Sequence, residues 1–320
     1  MGIVQATREG FRAPTRPMVR RFAVASLVAN VVIVVTGSAV RLTGSGLGCP
    51  TWPRCSGQSF VTHSALGVHG VIEFGNRMLT FVLAAVAIAT WVLVMRYRPR
   101  RRSLVVLATL LALSVPAQVV LGGLTVLTDL NPWAVSTHLL FSLAIIALAV
   151  VFVRRVDEGD KPARPTVPRP VVFLARTTYA ASWVVLGLGT VVTGSGPHAG
   201  DVDSPRNGLP PAAVSQLHAD LVFLLVGLTL GTLLALHAIG APERACRAAA
   251  WLLCIELLQG VVGVTQYFTD LPIALVGLHV LGAALVSGAA SWLMLGLRDR
   301  GLHGPAEEPI PGRRHDVRVP

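Results

Sequence analysis

Charge is scarce in this chain. Asp, Glu, Lys and Arg make up 13% of its 320 residues against 53% hydrophobic, and the mean hydropathy is +0.65. So little polar surface excludes an ordinary soluble domain. A concentrated basic patch is also missing. The formal net charge is +11, but the basic residues are scattered over five short segments, so no nucleic-acid partner is needed to explain them. Cysteine is rare: there are four, none in a Cys-x-x-Cys pair. The clearest sequence sign of a dithiol redox site is therefore absent.

What the chain does contain, it contains twice. Gln118 to His138 reads QVVLGGLTVLTDLNPWAVSTH, and Gln259 to His279 reads QGVVGVTQYFTDLPIALVGLH. Gly122 matches Gly263, Thr128-Asp-Leu matches Thr269-Asp-Leu, and His138 matches His279, all at an offset of 141 without a gap. VVTGS at 34–38 recurs at 191–195. A repeat of this length marks a unit duplicated and fused.

Uncharged apolar runs of the length needed to cross a bilayer occur near 22–40, 67–95, 103–127, 133–153, 171–193, 212–239, 246–268 and 272–297. The second carries Glu73 and Arg77, and the seventh carries Glu256. The expectation is an all-α integral membrane protein with eight transmembrane helices, arranged as two parallel-repeat four-helix bundles. Four spans per repeat is an even number, so both copies insert the same way, about an axis along the membrane normal. Of 27 Lys and Arg, 23 lie in the two tails, the 96–102 loop, the 154–176 segment and the 244–247 turn. By the positive-inside rule both termini are cytoplasmic. The first span resembles a signal peptide, and Arg20-Arg21 a twin-arginine signal, but Thr36-Gly37-Ser38 ends it as Thr193-Gly194-Ser195 ends span five, so it belongs to the folded unit. The expected organisation is a cytoplasmic tail (1–21), an N-terminal half (22–155), a Pro- and Arg-rich cytoplasmic linker (156–170), a C-terminal half (171–297) and a cytoplasmic tail (298–320). Residues 1–18 and 301–320 read as disordered.

His138, His218 and His279 fall inside spans, where an ionisable group is costly and reads as functional by default. The plain alternative is an imidazole hydrogen-bonded to a neighbouring helix. Zinc would want carboxylate or thiolate help. Imidazoles alone between membrane helices suit haem iron. Gly227, Gly260, Gly263, Gly277 and Gly282 would allow close approach of helices or a flat macrocycle. Aligning VSQLHADLVFLL with IEFGNRMLTFVL puts Asn76 at the counterpart of His218. Glu73, Asn76 and Arg77 share a helix face and should converge on one cavity. The plain alternative there is a structural Glu–Arg pair. His237, His303 and His315 lie at or beyond span ends and carry little weight.

The first outer loop reads RLTGSGLGCPTWPRC at 41–55, with Cys49 and Cys55 in a C-x5-C spacing. It faces an oxidising compartment where a disulfide persists, whether as a staple or as a redox pair. Cys246 and Cys254 have no evident partner and read as packing residues.

That loop, then IEFGNR, the span-four histidine, TGSGPHAGD at 193–201, QLH and the span-eight histidine together resemble the haem A synthase family, over residues 25 to 297. The resemblance implies an enzyme, a haem-dependent oxidoreductase that converts the C8 methyl of haem O to the formyl of haem A, the haem of aa3-type oxidases. It implies haem b iron held by His218 and His279, the substrate haem held at His138 beside Asn76 and Arg77, and catalytic roles for Glu73 and the Cys49–Cys55 pair. The family pattern places a second histidine where this chain has Asn76. His69, one face-repeat earlier, and His63 in the loop are substitutes to weigh, and His198 reads as outer loop over the second haem. Implied partners are haem O, molecular oxygen, membrane lipid, an electron donor, haem O synthase and oxidase assembly factors, in a bacterial cell membrane. Two other classes stay open from the residues alone: a di-haem b-type electron-transfer or quinol-oxidising cytochrome, and a transporter with parallel repeats.

Overall fold

The computed structural model describes residues 13–301. It contains eight long helices: α1 (Arg16–Leu42), α2 (Gly67–Arg96), α3 (Arg102–Leu127), α4 (Pro132–Asp157), α5 (Arg169–Ser195), α6 (Pro211–Ala238), α7 (Glu243–Phe268) and α8 (Ile273–Gly296). All eight are long and apolar enough to cross a membrane. The chain is an all-helical integral membrane protein with eight transmembrane helices.

Each helix ends where its sequence dictates. Proline stands in the first turn of α1, α4, α5 and α6, where its missing N–H costs nothing. Asn131 caps α4 by accepting from the N–H groups of Trp133 and Ala134, satisfying two of the orphan donors of the first turn. The α3–α4 and α7–α8 connections are the two Thr-Asp-Leu copies. Asp129 and Leu130 have φ of 51° and 58°, and Asp270 and Leu271 have 58° and 57°. Both copies therefore reverse the chain through two consecutive left-handed residues, a conformation that costs an L-residue about 1–2 kcal/mol.

Packing neighbours form two closed rings. In the first, α1 packs on α2, α2 on α3, α3 on α4, and α4 on α1. In the second, α5 to α8 do the same in order. The rings meet through α4–α8, α1–α8 and α4–α5. Exchanging each helix for its repeat partner maps this set of contacts onto itself, so it is compatible with two parallel copies.

The cores lie toward one end. Val19, Tyr97, Leu104, Ile145 and Phe152 centre the first ring, and Leu143, Ile146, Leu236, Leu252 and Leu293 the second. Most lie between the helix midpoints and the end where α1 starts and α8 finishes. At the opposite end, α6 buries nothing before Leu225 and α7 nothing after Glu256.

The end where α1 starts and α8 finishes is locked by ions. Arg16 and Arg20 each donate to Asp157 at 3.0 Å, and Arg155 pairs with buried Glu158 at 3.0 Å. A two-residue antiparallel pair, β1 (Arg164–Pro165) with β2 (Arg298–Asp299), ties the linker to the segment after α8. The opposite ends of the halves are joined by Gly46 N–H to the Gly200 carbonyl at 2.8 Å and by Arg41 to the Thr193 carbonyl at 2.7 Å.

Several expectations needed correction. Helix α1 begins at Arg16, so residues 16–18 are helical rather than part of a disordered tail. The rest of that expectation, residues 1–12 and 302–320 with His303 and His315, lies outside the described residues. Cys246 does pack beside the second core. Cys254 does not, because its helix face points outward and the residue is exposed.

Candidate functional site

The site is built from the loosely packed ends of the rings. His138 projects from α4, His218 from α6 and His279 from α8. Each imidazole lies against a glycine on the adjacent helix. A Cβ on Gly122 of α3 would sit 3.4 Å from His138 Cε1, one on Gly263 of α7 would sit 3.4 Å from His279 Cε1, and one on Gly189 of α5 would sit 3.2 Å from His218 Cε1. Gly122 and Gly263 are repeat partners, so the duplication preserved the whole contact. Gly189 carries no repeat signature and escaped the sequence.

None of the three imidazoles serves the fold in an evident way. Nδ1 of His138, His218 and His279 is buried and makes no hydrogen bond within normal geometry to a described residue; His218 lies beside the backbone of Val185. The plain alternative, a histidine bonded to a neighbouring helix, is not what His138 and His279 do. His218 and His279 stand on helices diagonally opposed across the second ring.

The first ring offers a different pair. Asn76 of α2 faces Gly37 of α1, its Nδ2 3.9 Å from where a Cβ would stand there, and its Oδ1 is buried without a partner. Gln118 braces α4 from α3, donating to Ser142 Oγ at 2.6 Å and more weakly to the His138 carbonyl at 3.4 Å.

Glu73 and Arg77 form one clamp. The Arg77 guanidinium donates to Glu73 Oε1. Glu73 Oε2 accepts the Cys49 N–H at 2.6 Å. Arg77 also donates to the carbonyls of Cys49 (3.0 Å), Thr51 (3.1 Å) and Arg54 (3.1 Å). A planar fork with five donors is the side chain that can satisfy so many acceptors at once. The clamp holds the outer loop, whose Cys49 and Cys55 are joined by a disulfide across a Cα separation of 4.3 Å. The loop inserts Trp52 over α3: a Cβ on Gly123 would fall within the Trp52 ring. Trp52 thus lies beside Gly122, the glycine under His138. Both the Glu–Arg pair and the loop were visible in the sequence; that one grips the other was not.

The remaining candidates lie in the first turn of α2 or in loops. His69 places Nδ1 2.9 Å from Ser45 Oγ and is exposed. His63 is exposed at the N-cap of a single 3-10 turn (Ser64–Leu66). His198 Nε2 meets the Leu271 carbonyl at 2.9 Å, fastening the second outer loop to the α7–α8 turn. Of the glycines expected to admit a macrocycle, Gly263 contacts His279, Gly277 approaches Leu42, and Gly282 accommodates the Gln259 side chain. A Cβ on Gly227 or Gly260 would meet no described atom within 4 Å.

Two rings of apolar helices, with three buried imidazoles toward the end where the disulfide loop is clamped, define a polytopic membrane protein. The chain belongs to the cytochrome oxidase assembly protein family (COX15-CtaA), whose family model matches residues 20–202. Among curated relatives, a heme A synthase of Bacillus cereus is 25% identical over 285 residues, spanning 84% of this chain and 90% of its own length. A heme A synthase of Listeria welshimeri is 29% identical over 145 residues, 44% of this chain and 46% of its own.

Proposed function

We propose that this chain is a haem A synthase of the bacterial cell membrane. It oxidises the C8 methyl of haem O to a formyl group through successive hydroxylations, with the last hydrate losing water. The N-terminal half (22–155) takes the substrate and the C-terminal half (171–297) holds haem b. Both termini are cytoplasmic, as the distribution of arginine requires.

One observation carries the reading: the diagonally opposed helices of the second ring bear His218 and His279, whereas those of the first ring bear His138 and Asn76. The residues fit haem. Nδ1 of each imidazole is buried, which leaves Nε2 as the nitrogen that would meet a metal, and Gly122, Gly189 and Gly263 leave each ring room at its helix interface. His218 and His279 would hold haem b, and His138 would hold the substrate haem. The bound iron supplies the oxidative and electron-carrying chemistry.

The chain's own part is to position and enclose. Asn76 is a far weaker donor to iron than imidazole, so the first half would hold its haem through fewer imidazoles than the second. Trp52, held by Arg77, limits water at the outer end of that ring. Glu73, 5% exposed, keeps a carboxylate where a proton can be accepted or returned. A b-type electron-transfer cytochrome would use the second ring equally well. It gives no reason for a single imidazole in the first ring under a clamped loop.

The test is the haem itself. Membranes from a host making haem O should contain haem A when this chain is expressed, identified by mass after extraction. Haem b alone, with haem O unconverted, would sink the synthase and leave the cytochrome.

A further inference from the structure

Away from the histidines, at the end carrying both chain ends, a cleft of about 480 Å³ opens between the first turns of α3, the last turns of α4 and the segment after α8. Its polar wall is Arg102, Ser103, Arg155, Arg298 and Arg300, and its other wall is Val106, Leu107 and Val151. Acidic neighbours do not balance these guanidiniums. Glu158, 4% exposed, is shared among Arg154, Arg155 and Arg300, the last at 3.8 Å. Asp160 is taken by Arg101 at 2.9 Å and reaches Arg155 only at 3.6 Å. Nε of Arg298 and Nε of Arg300 are buried without a hydrogen-bond partner. Burial lowers the Arg298 pKa below the usual arginine value, Glu158 opposes this, and Arg300, Arg155 and Arg154 add to it. The cleft also receives the start of α3, a 26-residue helix with no side-chain cap, whose free N–H groups favour an anion.

The cleft has a repeat counterpart. Arg244, Arg247, Ala248, Trp292 and Gly296 line a second cavity of about 300 Å³ with Arg154 and Trp251. The first five stand 141 residues after Ser103, Val106, Leu107, Val151 and Arg155. There too a guanidinium nitrogen, Arg244 Nε, is buried without a hydrogen-bond partner, Arg154 lies 5.7 Å over the Trp292 ring, and the ion pairs are long, Arg244 with Asp299 at 3.8 Å and Arg247 with Glu243 at 3.6 Å. Each basic wall runs directly into apolar helix surface: Val106 is 48% exposed and Trp251 65%. Positive-inside topology accounts for arginines near this end, but not for half-buried ones whose Nε atoms lack a hydrogen bond beside apolar helix surface.

We infer that these are two repeat-related sites for the phosphate of an anionic phospholipid, with Arg102, Arg298 and Arg300 holding the headgroup of the first and Val106 and Val151 flanking an acyl chain. The shared chemistry is a phosphate monoanion, and the apolar wall selects the lipid over the free ion.

The test uses the full-length purified protein in neutral detergent, with lipid retention counted by native mass spectrometry. Phosphatidylglycerol should be retained at two copies and phosphatidylcholine of the same acyl chains at none. Arg102→Gln is an exposed change that leaves the fold intact, and it should weaken retention of one copy by about tenfold. Arg247→Gln, also exposed, should weaken the other. Arg176→Gln removes one charge from the exposed surface of α5 outside both clefts and should change nothing. Equal retention of the two lipids would overturn the proposal. So would unchanged phosphatidylglycerol binding in both cleft variants, or equal loss in Arg176→Gln. Displacement of the lipid by millimolar inorganic phosphate would assign the clefts to the free ion and overturn the lipid assignment.

Discussion

Glu73→Gln separates two roles that the structure superimposes on one carboxylate. The side chain accepts from Arg77 at Oε1 and from the Cys49 N–H at Oε2, and it is 7% exposed. Gln keeps one acceptor oxygen and the size, but loses the charge. Two charge-assisted hydrogen bonds fall to neutral strength or are lost, a local cost of about 1–3 kcal/mol. That loosens the loop without unfolding a bundle whose cores lie at the far end. Arg77→Ala is harsher. It strands a buried carboxylate and frees three loop carbonyls, for about 3–5 kcal/mol. Hydrogen exchange over residues 43–62 should therefore rise modestly in Glu73→Gln and strongly in Arg77→Ala. Extracted haem then discriminates. If the carboxylate handles protons, Glu73→Gln accumulates haem O or a singly hydroxylated haem despite the milder loosening, and both variants keep the haem b spectrum. Near-normal haem A from Glu73→Gln would refute the chemical role and leave a clamp.

Further outcomes follow from the same geometry. His218→Ala and His279→Ala should each abolish the low-spin haem b absorbance, read in membranes; its survival in both would remove the ligand assignment. Gly263→Ala places a methyl 3.4 Å from His279 Cε1 and should shift the haem b spectrum or midpoint potential, whereas Gly122→Ala should leave both unchanged and lower haem A yield. Thiol labelling of intact unreduced cells should miss Cys49 and Cys55, and replacing both with Ser should destabilise the loop by about 2–3 kcal/mol, read as faster proteolysis there. Leu130→Ala should cost about 2–3 kcal/mol in a thermal melt, because Leu130 is 6% exposed and fills the space under Gly46 and Gly200.

Length and apolarity made all eight helices legible, and charge misled only at their ends. Expected spans began at 22 and ended at 153 because Arg16, Arg20, Arg21, Arg154 and Arg155 break an apolar window. In the structure Arg16 and Arg20 pair with Asp157, and Arg154 and Arg155 with Glu158, so the helices continue through them. The repeat announced His138 and His279 with their glycines, since selection for one contact was copied with it. It announced Thr-Asp-Leu as a marker without revealing two left-handed residues, because backbone dihedrals leave no periodicity. Gly189 under His218, Trp52 on Gly123 and the reach of Arg77 across the loop were illegible. Each joins residues far apart in sequence, and no local pattern encodes the partner.

The seam between the rings records a history. Ser287 of α8 donates to the Leu143 carbonyl of α4 at 2.8 Å, yet its repeat partner on α4 is Ile146. Two identical subunits could not make such a contact once only; a symmetric pair would form it twice or not at all. Joining the copies into one polypeptide removed that obligation, so that a change in one half no longer had to be tolerated by the other. Asn76 on α2, at the position aligned with His218 on α6, is a difference between the halves that two identical subunits could not carry.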